Sequence, residues 1–130
     1  DREHLVSGID IVSTICDYAE VSTPPNVRGL SLRPLLAGES TDWRTFVSTE
    51  HHVTGRMLRT KRFKFVRYDG DPVEQLFDMQ EDPWEMKNLH HDPTYAPVLA
   101  EHRALLDGWT ASLLPIEPTP DASKKGGKKK

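Results

Sequence analysis

Between residues 45 and 79 the chain alternates short apolar runs with turn residues, and no other stretch limits the fold as much. TFVSTEHH (45–52), GRMLRTKR (55–62), FKFVRYD (63–69) and EQLFDM (74–79) are rich in aromatic and β-branched residues. They are predicted to form successive antiparallel strands. Phe63 and Phe65 would share one face of the sheet, Lys64 and Val66 the other. Asp69-Gly70-Asp71-Pro72 is a strong turn signal before the last strand. Further on, Asp92-Pro93 offers an N-cap with proline at the first helical position. The helix predicted over 94–113 places Val98, Leu99, His102, Leu105, Leu106, Trp109 and Leu113 at i, i+3, i+4 spacing. Gly108 weakens that helix by about 1 kcal/mol relative to alanine.

Upstream, SGIDIVSTICDYA (7–19) is predicted helical, with Ile9, Val12, Ile15, Cys16 and Ala19 on one stripe. Ser7 and Asp10 fit a capping box, and Pro24-Pro25 bars continuation. In GLSLRPLLAGE (29–39), Ser31 can cap a short helix carrying Leu32, Leu35 and Leu36, and Gly38 can stop it. The class is α+β: a four-stranded antiparallel sheet covered by a long C-terminal helix. Hydrophobic residues make up only 36%. Little apolar material is left for the second sheet face or for the first helix. A layer this thin is expected to dock on something larger.

The folded part is expected to span 1–114, and the Pro-rich, then Lys-rich remainder, 115–130, to be disordered. KKGGKKK holds five lysines; without them the chain has 12 basic against 20 acidic residues, a net charge of −8. That is a poor generic nucleic-acid binder, because duplex affinity comes largely from neutralising phosphates. The tail reads either as a flexible solubilising end or as a polybasic surface anchor. No apolar run approaches the roughly 20 residues that span a bilayer. No signal peptide is visible, and the abrupt charged start, without Met, suggests a fragment.

Candidate chemistry is sparse. His51-His52, with Glu50 before and Arg56 after, could donate to an anionic or sugar ligand, or could be a solvated strand end. His51, His52, His90 and His91 lack the spacing of a zinc site. Cys16 reads as a packed small hydrophobe. The basic run Arg56, Arg59, Lys61, Arg62, Lys64, Arg67 is either a solvated face or a surface for an acidic polymer such as a sulfated glycan.

LFDMQEDPWEMKNL (76–89) mixes acids, amides and a proline. It reads as a constructed turn. Asp82 would accept from following backbone N–H groups, and Pro83 would fix its own φ. Glu85 would reach back to the Asp82 N–H as in a capping box. Asn88 would take a left-handed exit conformation, and Leu89 would return to the core.

That stretch resembles the L-(Y/F)-D-L-x-x-D-P-x-E-x-x-N-L element near the C-terminus of sulfatases of the alkaline phosphatase superfamily. SGIDIVSTICDYAEV resembles their S-x-x-D-(I/L)-x-P-T-(I/L) helix, with Ser13 where proline is usual. VRGLSLRPLLAGE and MLRTKRFKFVRYD resemble two further elements in the same order. Together they cover about residues 5–113, and the N-sulfoglucosamine sulfohydrolase and iduronate-sulfatase-like branch is most similar. The resemblance implies hydrolysis of sulfate esters or sulfamates by a formylglycine beside a calcium ion. It also implies that both belong to a large N-terminal α/β domain, absent here. Cys16 is followed by Asp17-Tyr18-Ala19-Glu20, not by the x-P-x-R that formylglycine formation needs.

This chain would then be the C-terminal subdomain, not catalytic alone, with its first helix packed on the missing domain. It would carry no cofactor of its own. His51, His52 and Arg56 would rim the pocket for a sulfated carbohydrate. A periplasmic or secreted location is expected from family habit. The alternative is a stand-alone, non-catalytic module that binds anionic glycans.

Overall fold

A computed structural model describes residues 3–39, 42–52 and 54–113. The Lys-rich end and the disorder expected over 115–130 lie outside them. Two helices come first, α1 (Asp10–Tyr18) and α2 (Arg33–Leu36). Four strands follow: β1 (Phe46–His51), β2 (Gly55–Thr60), β3 (Phe63–Tyr68) and β4 (Gln75–Asp78). A 3-10 turn (Pro93–Tyr95) leads into α3 (Ala96–Ala111).

The strands pair antiparallel in sequence order, β1-β2-β3-β4. Links as short as Lys61-Arg62 allow nothing else, since a parallel crossover needs a dozen or more residues. The register sets Leu58 opposite Phe65 and Phe65 opposite Leu76, a row across β2, β3 and β4. All three side chains are fully buried, and Leu89, Leu99 and Leu106 close over them. Each such burial is worth about 1.5–3 kcal/mol, so this row under α3 is the main source of stability. Val98, Leu105 and Trp109 pack at its margin, which fulfils the periodicity read for α3. His102, on the same stripe, is buried with Nδ1 at 2.8 Å from the Val98 carbonyl oxygen and Nε2 at 3.1 Å from Thr60 Oγ1. Asp92 accepts from the Thr94 N–H at 2.9 Å, but the turn it caps is 3-10; the α-helix starts only at Ala96.

The α1–α2 half is built differently. Its buried residues are Asp10 and Ser13. Asp10, Ser13, Thr14 and Asp17 lie at i, i+3, i+4, i+7, a polar stripe with the same period as the apolar one. That stripe fastens the segment ahead of α2. Asp10 Oδ1 accepts from the Leu30 N–H at 2.9 Å, and Ser13 Oγ donates to the Gly29 carbonyl at 2.8 Å. Thr14 Oγ1 accepts from the Leu32 N–H at 2.9 Å, and Asp17 accepts from Ser31 Oγ at 2.5 Å. Ser13 here does what a proline could not, because proline has no side-chain donor. Gly29 is required by the closeness: a Cβ would lie 2.2 Å from the Ile9 carbonyl oxygen.

The capping box is half formed. Asp10 Oδ2 accepts from the Ser7 N–H at 2.7 Å, while the Asp10 N–H goes to the Ser7 carbonyl at 3.0 Å, not to its hydroxyl. Arg44 locks the same carboxylate bidentately, at 2.9 and 2.6 Å. Burial pushes the Asp10 carboxyl up, but Arg44 and the two N–H donors outweigh it and hold its pKa below the usual range. Ser31 accepts from the Arg33 N–H at 3.2 Å, and Gly38 ends α2 at φ 71°.

The first hairpin as candidate functional site

His51 ends β1 and pairs with Gly55, so the hairpin turns through His52 and Thr54. Both imidazoles are exposed, edge to face, with centroids 4.3 Å apart. Gly55 is buried against Tyr68; a Cβ there would meet the Tyr68 ring at 2.7 Å. Arg56 lies across the sheet from this contact, on the α3 side. Its Nη1 donates to both Asp69 oxygens, at 3.0 and 2.8 Å, and its Nε to Glu50 at 3.3 Å. The Asp69 hydrogen bond, then the Asp69 and Glu50 charges, hold the guanidinium pKa above its ordinary value despite partial burial. Nη2 carries no hydrogen bond to a described residue. The structure thus brings His51, His52 and Arg56 to one end of the sheet, on opposite faces of the hairpin. Asp69, which the reading of the sequence used only as a turn signal, joins them as the carboxylate that fixes Arg56.

The rest of the basic run is paired. Lys61 meets Glu3. Arg62 holds Asp78 at 2.6 Å, Lys64 holds Glu85 at 2.7 Å and Arg67 holds Asp107 at 2.7 Å. Arg59 donates to the Thr60 and Phe63 carbonyls, and burial lowers its pKa. Except at Arg59, which bonds backbone carbonyls, the cations of this run face neighbouring carboxylates, which weakens the field offered to a polyanion. That is an observation against a stand-alone glycan module built on these strands.

The 76–89 stretch is construction, with two changes from expectation. Asp82 Oδ2 accepts from the Lys87 N–H at 2.8 Å, and bonds from the Met86 and Lys87 amides lower its pKa. Glu85 does not reach back to the Asp82 N–H. That donor is taken by the Asp78 carbonyl at 2.7 Å, and the Glu85 carboxylate turns to Lys64. The left-handed residue is Glu85 (φ 58°), not Asn88. Asn88 instead ties strand to loop: its Oδ1 accepts from the Leu76 N–H at 3.0 Å and its Nδ2 donates to the Glu74 carbonyl at 3.0 Å. Leu89 is buried, as expected.

A groove of about 460 Å³ runs between Ile9, Leu30, Phe46, Val47 and Trp109. Its two cations, Arg28 and Arg44, are engaged by Ser112 and Asp10. The His90 and His91 rings lie near Asn88 with centroids 3.5 Å apart and planes tilted by 40°. Among the described residues no three His, Cys, Asp or Glu side chains converge on a metal position. Cys16 is half-buried on α1 and is followed by Asp17-Tyr18-Ala19-Glu20, not by the x-P-x-R that formylglycine formation needs. No chemical step is derived through a calcium ion or a formylglycine.

A four-stranded antiparallel sheet under one helix, with a further helix whose apolar stripe has no cover among the described residues, defines the α+β class. The chain matches the family described as N-sulphoglucosamine sulphohydrolase, C-terminal, over residues 1–111. It belongs to that family of C-terminal sulfatase domains. It is 40% identical over 117 residues to a Delta 4,5-hexuronate-2-O-sulfatase of Bacteroides thetaiotaomicron, covering 82% of this chain and 24% of that protein. A solved 2-O GAG sulfatase superposes with TM-score 0.69 at 40% identity, over 78% of this chain and 24% of the other. A second solved structure, of a protein in complex with its substrate D-glucosamine-2-N,6-O-disulfate, gives TM-score 0.68 at 30% identity, over 78% of this chain and 23% of the other. The chain thus spans about a quarter of the length of these relatives.

Proposed function

We propose that the chain completes a sulfuric ester (or sulfamate) hydrolase, seating on its catalytic domain and rimming the pocket for a sulfated carbohydrate. The observation that carries this is the orientation of α1. Its polar stripe is spent on residues 29–33, while Ile9, Ile11, Val12, Ile15 and Tyr18 stay exposed, Ile15 by 63%. Leu36 of α2 is 70% exposed beside it. Apolar side chains concentrated on one helix face mark an interaction site. The greater length of the relatives, of which this chain spans about a quarter, supports as occupant a large domain that would carry the nucleophile, with the calcium and formylglycine expected of the family. The first hairpin is the part offered to substrate. His51 and His52 have free imidazole edges, and Arg56 keeps Nη2 available to an oxyanion. The names of the relatives, which act on a hexuronate 2-O-sulfate and a glucosamine disulfate, support a sulfated sugar as the substrate class.

The test is kinetic, in the enzyme encoded by the full reading frame. His51→Ala and His52→Ala should raise KM for a sulfated disaccharide by about tenfold and leave kcat and melting temperature near wild type. Unchanged KM in both variants refutes the hairpin's role. The isolated chain should turn over no aryl sulfate; measurable hydrolysis by it would refute the division of labour.

A further inference from the structure

We infer that Glu50, Arg56 and Asp69 form a positioning clamp that holds His51 and His52 in the geometry in which they meet substrate. The inference rests on the role given above to the first hairpin. Its starting point is the backbone. His52 adopts φ 52°, in the left-handed region. For a residue with a Cβ that conformation is unfavourable. Such a conformation persists only where its surroundings over-determine it, and it is common at ligand sites.

The surroundings are built around one guanidinium. Arg56 is only 18% exposed. It joins Glu50, the residue before His51, to Asp69, the residue after β3. The Asp69 N–H also donates to the Thr54 carbonyl at 2.9 Å, which ties the far side of the turn to the same anchor. Below the hairpin, on the other sheet face, the Tyr68 ring fills the place of the missing Gly55 side chain. The turn is therefore held from both faces.

Charge adds a reason for both carboxylates. Arg56 stands directly opposite Arg67 on β3. Like charges so placed repel. Asp107 takes Arg67, and Glu50 and Asp69 take Arg56. Nη1 is shared between the two Asp69 oxygens while Nε points to Glu50, so the guanidinium is held between two carboxylates on different sides. Displacement of a binding group by about 1 Å is enough to cost affinity or rate heavily.

Asp69→Asn tests this in the full-length enzyme, because it keeps the shape and removes the charge. The probes are a Δ4,5-unsaturated 2-O-sulfated disaccharide and D-glucosamine-2-N,6-O-disulfate. The expected result is a rise in KM of about fivefold to tenfold, kcat within about twofold, and recovery to within about threefold in Asp69→Glu. The melting temperature should stay within about 2 °C, as for other solvent-screened pairs. If His51→Ala raises KM and Asp69→Asn does not, the clamp is overturned while the hairpin keeps its role. A KM rise that tracks a large fall in melting temperature and is not recovered by Asp69→Glu overturns it in favour of plain stability. If the histidine variants leave KM unchanged, or neither sugar is turned over, the hairpin's role fails and the clamp fails with it.

Discussion

The sheet–α3 half and the α1–α2 half solve the same problem in opposite ways. The first buries carbon: Leu58, Phe65, Leu76, Leu89, Leu99 and Leu106 close on one another. The second buries charge and hydroxyl, with Asp10 and Ser13 inside and isoleucines outside. A core of packed carbon is self-sufficient. A carboxylate held by Arg44 and two backbone donors shapes a segment, yet leaves the helix's apolar area exposed. The contrast teaches that half of this subdomain is closed by its own described residues, while the other half leaves an apolar helix face exposed among them.

The largest expected effect lies in the carbon core. Phe65→Ala should cost about 3–5 kcal/mol in a denaturant titration, enough to unfold a domain of ordinary stability. A loss under 1 kcal/mol would mean that the sheet–α3 half does not carry the fold. Next comes the polar half. Asp10→Ala strands Arg44 and two N–H groups, and should cost about 3 kcal/mol. A neutral result would erase the distinction between the two halves. Third is acid. The Asp10 and Asp78 carboxyls are held below their ordinary pKa, Asp78 chiefly by Arg62. A lowered native pKa gives stability that is present above the unfolded value, about 3.9, and is lost as pH falls through the native one. Unfolding free energy should therefore be flat near neutrality and drop below about pH 4, with the drop reduced in Asp10→Asn. The smallest effect sharpens the comparison most. Ile15→Ser should change the isolated chain by less than about 0.5 kcal/mol, yet destabilise the full-length enzyme measurably. Equal effects in both would argue that nothing seats on α1.

Much of the fold was legible. Strand positions, the order of elements, the α3 stripe and the role of Asp92 follow from local spacing and turn chemistry, and the structure agrees within a few residues. The candidate hairpin was legible as a cluster, because Glu50, His51, His52 and Arg56 are near neighbours in sequence. Asp69 was not, since it reaches Arg56 only through the β2–β3 register. The turn after β4 follows its local signals in kind but not in detail. Asp78, a strand residue, takes the Asp82 N–H that Glu85 was expected to cap, and Lys64 on β3 takes Glu85.

What the sequence determined by itself is everything governed by period and by local backbone chemistry. An alternation of two makes a strand, a stripe at 3.6 makes a helix, and Asp-Pro starts a turn wherever it stands. Which stripe of α1 points inward was decided only in three dimensions. Its polar and apolar stripes have the same period, so the pattern alone cannot tell a face that packs on this chain from one that packs on another. That depends on Gly29 admitting the helix backbone and on Arg44 arriving from beyond α2. Both are contacts between distant residues, and no local propensity encodes them.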